Sequence, residues 1–321
     1  MSANNEMPKL SVVVPMYNEE TNVEKTISRI AEVLQQIKNW ELILVNDGST
    51  DSTQQKAEAF RRSEGRILVV SYHTHRGRGR ALREGFKVAS GDIIVTIECD
   101  LSYHPRYILA LYSELCQNSE LDMVIGSVYM PGGKAINVPR GRLAISRLGN
   151  KILSFAFGAK LFTLTGMLRG YRRKSLEMLS LESDEKEIHL EIISKALSLN
   201  YLIGEIPVIL QGRSSGKSKF KLMRTASSHV LLSLLEKPMI IFGIIGIILL
   251  IAGLACAIFL IVLWREALLN PDRPLIIVTA ILLIGGLQAF FFGFLAIQQN
   301  NLRREIFRLQ SKIKKNNFSN K

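Results

Sequence analysis

The residues with the clearest chemical meaning are Glu98-Cys99-Asp100, an acid-x-acid triplet that follows the run Asp92–Ile97 (DIIVTI). Two carboxylates at that spacing, just after a buried strand, make a hard oxygen site suited to Mg²⁺ or Mn²⁺. Such a cation is needed where a diphosphate leaves, because its charge must be neutralised as the bond breaks. Three further polar clusters close apolar runs in the same way: Pro15-Met16-Tyr17-Asn18-Glu19, Asn46-Asp47-Gly48-Ser49 and His75-Arg76-Gly77-Arg78-Gly79. One acidic pair alone is equally a solvated turn with helix-capping side chains. Four polar strand ends in one sheet favour a shared site.

Those clusters need strands to carry them and helices to hold them in place. Ser11–Pro15 (SVVVP), Glu41–Val45 (ELILV), Ile67–Ser71 and Asp92–Ile97 read as short strands. Glu19–Gln36 has helical periodicity through Val23, Ile27, Ile30, Val33 and Leu34, and Gln54–Arg62 and Gly77–Ala89 also read as helices. Asn46 to Asp51 is turn chemistry passing into a helix N-cap. This alternation predicts an α/β fold with a parallel sheet covered by helices. Ligands of such sheets bind at the carboxyl ends of the strands, where the four clusters fall.

The 321 residues have room for about two domains. A hydrophobic share of 47% with 21% charged residues excludes a disordered chain. Cys99, Cys116 and Cys256 are too few for a disulfide framework or a Cys-rich zinc module, and they suit a reducing compartment. The net charge of +13 admits polyanionic partners: nucleic acid, an anionic membrane face or phosphorylated substrates.

Apolar residues concentrate near the C-terminus. Met239–Leu263 carries no charge, and Leu275–Ile297 carries none either, with the polar Gln288 within it. About 25 helical residues rise about 37 Å, enough for a hydrocarbon core of roughly 30 Å. Neither run has a polar face, which argues against a pair of ordinary core helices. The connector Trp264–Pro274 is a charged turn containing Pro271 and Pro274. After the second run come Arg303, Arg304, Arg308, Lys312, Lys314, Lys315 and Lys321 against Glu305. The positive-inside rule puts this tail in the cytoplasm, and two spans return the chain to one side, so the N-terminal region is expected there too. Met1–Leu10 lacks the apolar core of a signal peptide. Leu302, Ile306, Leu309 and Ile313 recur at helical spacing, so the tail reads as an amphipathic helix on anionic membrane lipid. Gly285 and Gly286 permit helix association and hence a homo-oligomer. The expectation is an integral membrane protein of a prokaryotic plasma membrane, or of the ER membrane in a eukaryote.

Ser11–Glu20 (SVVVPMYNEE), Val45–Asp51 (VNDGSTD) and the acid-x-Asp triplet resemble a family-2 glycosyltransferase of GT-A fold. The likeness is greatest to the dolichyl-phosphate mannosyltransferase and polyprenyl-phosphate glycosyltransferase branch. Glu98–Pro105 (ECDLSYHP) resembles that branch's D-A-D-L-S-H-H-P, and Leu164–Arg172 (LTGMLRGYR) resembles its D-L-T-G-S-F-R-L-Y-R. Leu199–Val208 (LNYLIGEIPV) and Arg213–Lys219 (RSSGKSK) are similar to its closing segment. The resemblance covers roughly residues 10–220. It implies a Rossmann-like GT-A domain over residues 1–218, a mostly parallel sheet with helices on both faces. An amphipathic interfacial helix would follow over 219–237, then two membrane helices within 238–298 and a basic tail over 299–321.

The implied reaction is inverting transfer of one sugar from a nucleotide sugar, GDP-mannose or a UDP-hexose, to polyprenyl or dolichyl phosphate at the cytoplasmic membrane face. The resemblance implies that Pro15, Tyr17 and Glu19 contact the donor's ribose and base region, with Asn46 and Asp47 at the base. Gly77 and Gly79 would lie beside the donor, and Glu98 and Asp100 would hold Mg²⁺ or Mn²⁺. Asp100 and Arg213 would carry catalysis, with Arg147, Arg213 and Lys219 gripping phosphates. The physics of the reaction agrees. A phosphate monoester with a second pKa of about 6 is already anionic, so no general base is needed. The site must instead position two phosphates and offset their repulsion. Leu143–Phe162 and Phe220–Leu235 interleave apolar residues with Arg147, Lys151, Lys160 and Arg224. They read either as helices at the headgroup boundary or as ordinary core-facing helices.

Three positions depart from the branch: Glu98 for Asp, Val128 where it has Arg, and Thr163 where Asp precedes L-T-G. Arg140 or Arg142 is available to replace the missing arginine. The alternatives are transfer to another lipid acceptor, such as a diacylglycerol, and a catalytically degenerate membrane subunit of the same fold. Gly77–Leu82 (GRGRAL) resembles half a dinucleotide fingerprint, but Leu82 stands at its third glycine position. Gly212–Ser218 (GRSSGKS) is one residue short of a phosphate loop. His73 and His75 share a predicted strand face and, without a third ligand, read as surface or hydrogen-bonded groups. Tyr107, Leu111 and Leu115 read as core. No RNP or zinc-finger pattern supports nucleic acid, and neither Trp40 nor Trp264 sits in the Q-x-x-R-W signature of processive polysaccharide synthases.

Overall fold

A computed structural model describes residues 7–212, 238–266 and 274–319. The chain falls into two compact units, Met1–Lys221 with Phe307–Lys321, and Leu222–Ile306. Arg213, Lys219, Arg224 and the predicted helix Phe220–Leu235 lie outside the described residues.

In the first unit the chain begins β1 (Leu10–Met16), α1 (Val23–Leu34), β2 (Trp40–Asp47), α2 (Thr53–Ser63), β3 (Ile67–Tyr72), α3 (Arg78–Val88) and β4 (Ile93–Thr96). It continues through α4 (Arg106–Gln117), β5 (Met123–Ser127), β6 (Lys134–Ile136), α5 (Arg140–Phe157), β7 (Arg169–Arg172) and α6 (Arg173–Met178). The last elements are α7 (Ile188–Ser198), β8 (Ile203–Pro207) and β9 (Ile209–Gln211). Seven strands make one sheet in the order β3-β2-β1-β4-β7-β5-β8, with β7 antiparallel to β4 and β5 and the other pairings parallel. β6 and β9 form a small parallel pair, joined to the loop after β4 by a bridge between Tyr103 and Leu210.

β2 is buried along its whole length, as a parallel strand covered on both faces must be. Val12, Val14, Leu42, Leu44 and Val95 meet Val23, Ile27, Ile30 and Leu34 of α1 and Tyr107, Leu111 and Leu115 of α4 in one core. Each such aliphatic side chain contributes roughly 1.5–3 kcal/mol by leaving water. The alternate side chains of β1 and β2 meet α3, where Gly85 lies against Val13 and Val45. Helices therefore cover both faces, and the predicted core role of Tyr107, Leu111 and Leu115 holds.

Some boundaries differ from expectation. α1 starts at Val23, because Asn18 adopts φ 51° and the amides of Asn22 and Val23 turn back onto the Glu19 carbonyl. β3 ends at Tyr72, so His73 and His75 lie in the loop beyond it and share no strand face. The predicted segment Leu143–Phe162 is helical over Arg140–Phe157, ended by Gly158 at φ 65°. α5 buries Asn150, Leu153 and Ala156, while Ile145, Leu148, Ile152 and Phe155 form an exposed apolar stripe. The whole stretch 128–168 leaves from the end of β5 and returns beside it, where Arg169 pairs with Ile125 and the Gly126 amide donates to the Leu168 carbonyl.

α8 (Pro238–Arg265) and α9 (Pro274–Ser319) complete the chain. Phe242–Arg265 and Pro274–Gln299 are long and apolar enough to cross a membrane. A Cβ on Gly286 would lie 2.7 Å from Leu250 Cγ and 3.1 Å from the Gly246 carbonyl oxygen, so this glycine serves the contact between the two helices of one chain. α9 runs unbroken for 46 residues, so the tail expected as a separate amphipathic helix continues the second apolar stretch. Leu302, Ile306, Leu309 and Ile313 are exposed along it.

Candidate active site

The adjacent parallel strands β1, β2, β3 and β4 end at the same edge of the sheet, and the loops that follow them are knitted together. Asn18 donates its amide to Ser49 Oγ at 3.0 Å and accepts the Thr50 amide on Oδ1 at 2.8 Å. The Glu19 amide donates to Thr53 Oγ1 at 2.8 Å, which joins the first loop to the start of α2. Asn46 is buried beneath this junction, where its Oδ1 accepts the Ser49 amide and its Nδ2 donates to Gln54. Pro15, half-buried, sits in register with Val45 at the mouth of β1.

Asp47 is buried, and it organises the third loop. Its Oδ1 accepts the Arg76 amide at 2.8 Å and its Oδ2 the Gly77 amide at 3.0 Å, with His75 Nδ1 2.8 Å from Oδ2. The His75 ring stacks on Tyr17 with centroids 3.7 Å apart, so the ends of β1 and β3 present one flat aromatic pair. This is the hydrogen-bonded role expected of His75. Gly48 adopts φ 64°, and a Cβ there would lie 2.5 Å from the His75 backbone nitrogen. Gly77 adopts φ 102°, and its Cα faces the Asp184 carbonyl and the Glu185 carboxyl. Only glycine combines that conformation with that approach. Gly79 packs equally closely on the backbone of Ser183–Glu185.

Glu191 fixes that segment by accepting the Glu182 and Ser183 amides at 2.9 and 2.8 Å. Burial would raise the pKa of Glu191, but bonds from Lys195 and Ser183 outweigh it and hold the carboxyl below its ordinary value.

Both expected cation ligands lie in the loop after β4, half-buried. Asp100 Oδ1 accepts the amide of Ser102 at 2.9 Å and its hydroxyl at 2.5 Å. Glu98 Oε1 meets Arg78 at 3.1 Å across the rim. Between them Cys99 is buried; burial first, then the charges of Glu19 and Asp100, push its thiol far above the usual range. Burial and then the Glu98 charge likewise keep the Tyr103 hydroxyl protonated. The Gln211 amide donates to the Ser102 carbonyl at 2.8 Å, which ties the end of β9 to the loop after β4.

The far side of the rim holds the two other departures. Val128 is buried in the core, and Thr163 Oγ1 lies 2.8 Å from Ser127 Oγ. Glu205 accepts the Phe162 and Thr163 amides at 2.7 and 2.9 Å. A hydroxyl pair thus stands where the branch's Asp would place a charge. Arg169 is fully buried and donates to the carbonyls of Leu164, Gly166 and His189, which pins the L-T-G turn. Arg147 is exposed on α5, its guanidinium carbon 5.7 Å from the Tyr129 ring centre.

Hydrogen bonds, an ion pair and a ring stack therefore join Tyr17, Glu19, Asn46, Asp47 and Gly77 into one rim, with Glu98 tied to it through Arg78 and Asp100 following in the same loop. Pro15 borders it, Gly79 faces the 183–185 backbone, and Arg147 contacts Tyr129. Sequence reasoning placed Arg78 in the third polar cluster, as a cation between two glycines, without giving it a partner, and it missed Glu205, whose partners are distant in sequence.

A mostly parallel sheet with one antiparallel insertion and an acid-x-acid pair at its carboxyl edge defines the class of GT-A glycosyltransferases. Residues 11–179 match Glycosyl transferase family 2, and the chain belongs to that family. It is 33% identical over 216 residues to the dolichol-phosphate mannosyltransferase of Pyrococcus furiosus, covering 66% of this chain and 59% of that protein. It is 31% identical over 306 residues to the dodecaprenyl-phosphate galacturonate synthase of Rhizobium johnstonii, covering 90% and 86% of the two chains. Its fold is similar to that of glucosyl-3-phosphoglycerate synthase from Mycobacterium tuberculosis, solved with Mn²⁺, uridine diphosphate and glucosyl-3-phosphoglycerate. That comparison has a TM-score of 0.54 and 22% identity over 71% of this chain and 79% of the other.

Proposed function

We propose that this glycosyltransferase moves one sugar, with inversion, from a nucleoside-diphosphate sugar such as GDP-mannose or a UDP-hexose to polyprenyl or dolichyl phosphate. The observation that carries the reading is the placement of Glu98 and Asp100 on the same rim as the Tyr17–His75 stack and the Asp47-anchored loop. The names of the two relatives above support the acceptor class. Two helices of membrane-crossing length support a site beside the bilayer, and the basic tail favours the cytoplasmic side.

Within this reading the aromatic pair offers the donor base a flat surface, flanked by Pro15, Glu19, Asn46 and Asp47. Glu98 and Asp100 are the residues that hold Mg²⁺ or Mn²⁺. Among the described residues no group of three or more His, Cys, Asp or Glu side chains is arranged to bind a metal. A pair of carboxylates fits, because Mg²⁺-type sites take one or two protein carboxylates and fill the rest with substrate phosphates. When bound, the cation offsets the charge of the diphosphate leaving group. Ser102 holds Asp100 in a fixed orientation for that role. Arg213 and Lys219, outside the described residues, and Arg147 on the exposed face of α5 grip the phosphates. The exposed stripe Ile145, Leu148, Ile152 and Phe155 lies against the lipid headgroup boundary and brings the isoprenoid phosphate to the rim.

The test is incubation of the purified full chain in nanodiscs with a panel of nucleotide sugars, a polyprenyl phosphate and Mn²⁺, with products read by mass spectrometry. The expected product is a polyprenyl monophosphate sugar. Asp100→Asn is expected to insert and melt like the parent while yielding none. Absence of glycolipid from every donor, or full turnover by Asp100→Asn, overturns the proposal.

A further inference from the structure

Arg78 is the first residue of α3, and its backbone is held from both sides. Asp47 fixes the Gly77 amide before it, and Gly79 after it rests on the Ser183–Glu185 backbone. From this anchored position the side chain crosses from the third loop to the fourth, where a guanidinium nitrogen meets Glu98 Oε1 at 3.1 Å. Both partners remain partly open, at 32% and 21% side-chain exposure, so a ligand on the rim can reach them. The other α3 cations are differently engaged: Arg80 and Lys87 pair along the helix with Glu84, and Arg83 turns toward Asp184.

Electrostatics decides which partner Arg78 keeps. With the rim empty of substrate, the guanidinium offsets the repulsion between the carboxylates of Glu98 and Asp100. A divalent cation between those acids repels Arg78 and competes for Glu98, while a diphosphate beside them presents oxygens that match the guanidinium fork. Resting on the functional reading above, we propose that Arg78 is a donor-diphosphate residue that Glu98 holds in waiting. As the nucleotide sugar and its cation arrive, Glu98 turns from Arg78 to the cation and Arg78 takes the diphosphate oxygens. The extra methylene of Glu98, compared with the branch's aspartate, gives the carboxylate the reach for both partners.

The exchange predicts opposite effects of one substitution on two ligands. In Arg78→Gln the competing cation is gone, so the nucleotide-free full chain should bind Mn²⁺ about fivefold more tightly, read by electron paramagnetic resonance of free Mn²⁺. The same variant should raise KM for the nucleotide sugar about ten- to a hundredfold, the worth of a charge-assisted phosphate contact, and leave KM for polyprenyl phosphate unchanged. Arg78→Lys should recover part of the donor KM, because it keeps the charge and loses the fork. Arg80→Gln should match the parent in both assays, and a far-UV spectrum reports whether each variant is folded. Unchanged or weaker Mn²⁺ binding in Arg78→Gln, or an equal rise in both KM values, overturns the assignment. A parent that makes no glycolipid sinks the functional reading instead. A parent that turns over while Arg78→Gln behaves identically sinks only the role of Arg78.

Discussion

Replacing Gly79 with alanine adds one methyl group where α3 touches the backbone of Ser183–Glu185. The new Cβ would lie 2.4 Å from the Ser183 carbonyl oxygen, and 2.7 Å from both the Asp184 carbonyl carbon and the Glu185 carbonyl oxygen. Comfortable carbon contacts lie at about 3.5–4.0 Å, so one side must retreat by about 1 Å. The obstacle is backbone, and no rotamer change relieves it. Retreat stretches the Arg80 amide bond to the Asp184 carbonyl (3.0 Å) and the Arg83–Asp184 pair (2.6 Å), against the hold of Glu191 on the same segment. Overpacking of this kind costs about 1–3 kcal/mol, and a weakened hydrogen bond about 1 kcal/mol more. The gain in helix propensity from glycine to alanine returns about 1 kcal/mol. The net expectation is a loss of about 1–3 kcal/mol, or roughly 5 °C in Tm for a domain of this size. Because the strained contact adjoins Gly77 and Arg78, donor KM should rise about tenfold through the loss of a charge-assisted contact. Gly149 in α5 is the control, since a Cβ there meets nothing within 4 Å and Gly149→Ala should keep the propensity gain. Thermal unfolding by intrinsic fluorescence and donor saturation curves read both effects. A Gly79→Ala protein that melts at or above the parent temperature, with an unaltered donor KM, refutes the packing argument.

The lowered pKa of Glu191 ties the donor-side loop to pH. A carboxylate held below its ordinary 4.5 contributes stability above that value and loses it as pH falls through the lowered pKa. The Tm gap between the parent and Glu191→Gln should therefore be full at neutral pH and close as acidity increases below about 4.5, measured by melts across a pH series; a gap that widens in acid contradicts this. The exposed stripe on α5 supplies the last test. Leu148→Glu with Phe155→Glu should lower turnover of a long polyprenyl phosphate in vesicles by at least about tenfold, given roughly 1.5–3 kcal/mol per buried apolar side chain. Turnover of a short, water-soluble acceptor should be spared, and equal losses on both would assign the stripe to packing.

The runs SVVVP, ELILV and DIIVTI show themselves as strands because each is apolar and closed by polar turn residues. The four strand-end clusters were legible for the same reason, and the fold brings them to one edge. β7 was not legible as a strand. Its four residues, RGYR, have a loop's composition, and Arg169 is tolerated in the interior because the carbonyls of Leu164 and Gly166 in the preceding turn and of His189 in α7 accept its N–H groups. The pairing of Arg78 with Glu98 was equally hidden. It depends on β4 lying beside β1, a crossover in strand order that periodicity along the chain does not encode. The departures at Val128 and Thr163 read as losses of charge in the sequence. In three dimensions Thr163 meets the hydroxyl of Ser127, the neighbour of Val128, so both changes fall in one place, where Glu205 accepts the Thr163 amide.

The reversed strand β7 has a consequence for how such enzymes diversify. Residues 128–168 depart and return at one point of the sheet, with Leu168 bonded to Gly126 at the junction. That stretch is a cassette: it can be lengthened, shortened or traded for another without shifting a single strand of the donor-side scaffold. Under the proposed function, selection on the carrier lipid would act inside the cassette while the proposed donor-side half stays unchanged, so one framework would serve membranes with different isoprenoids.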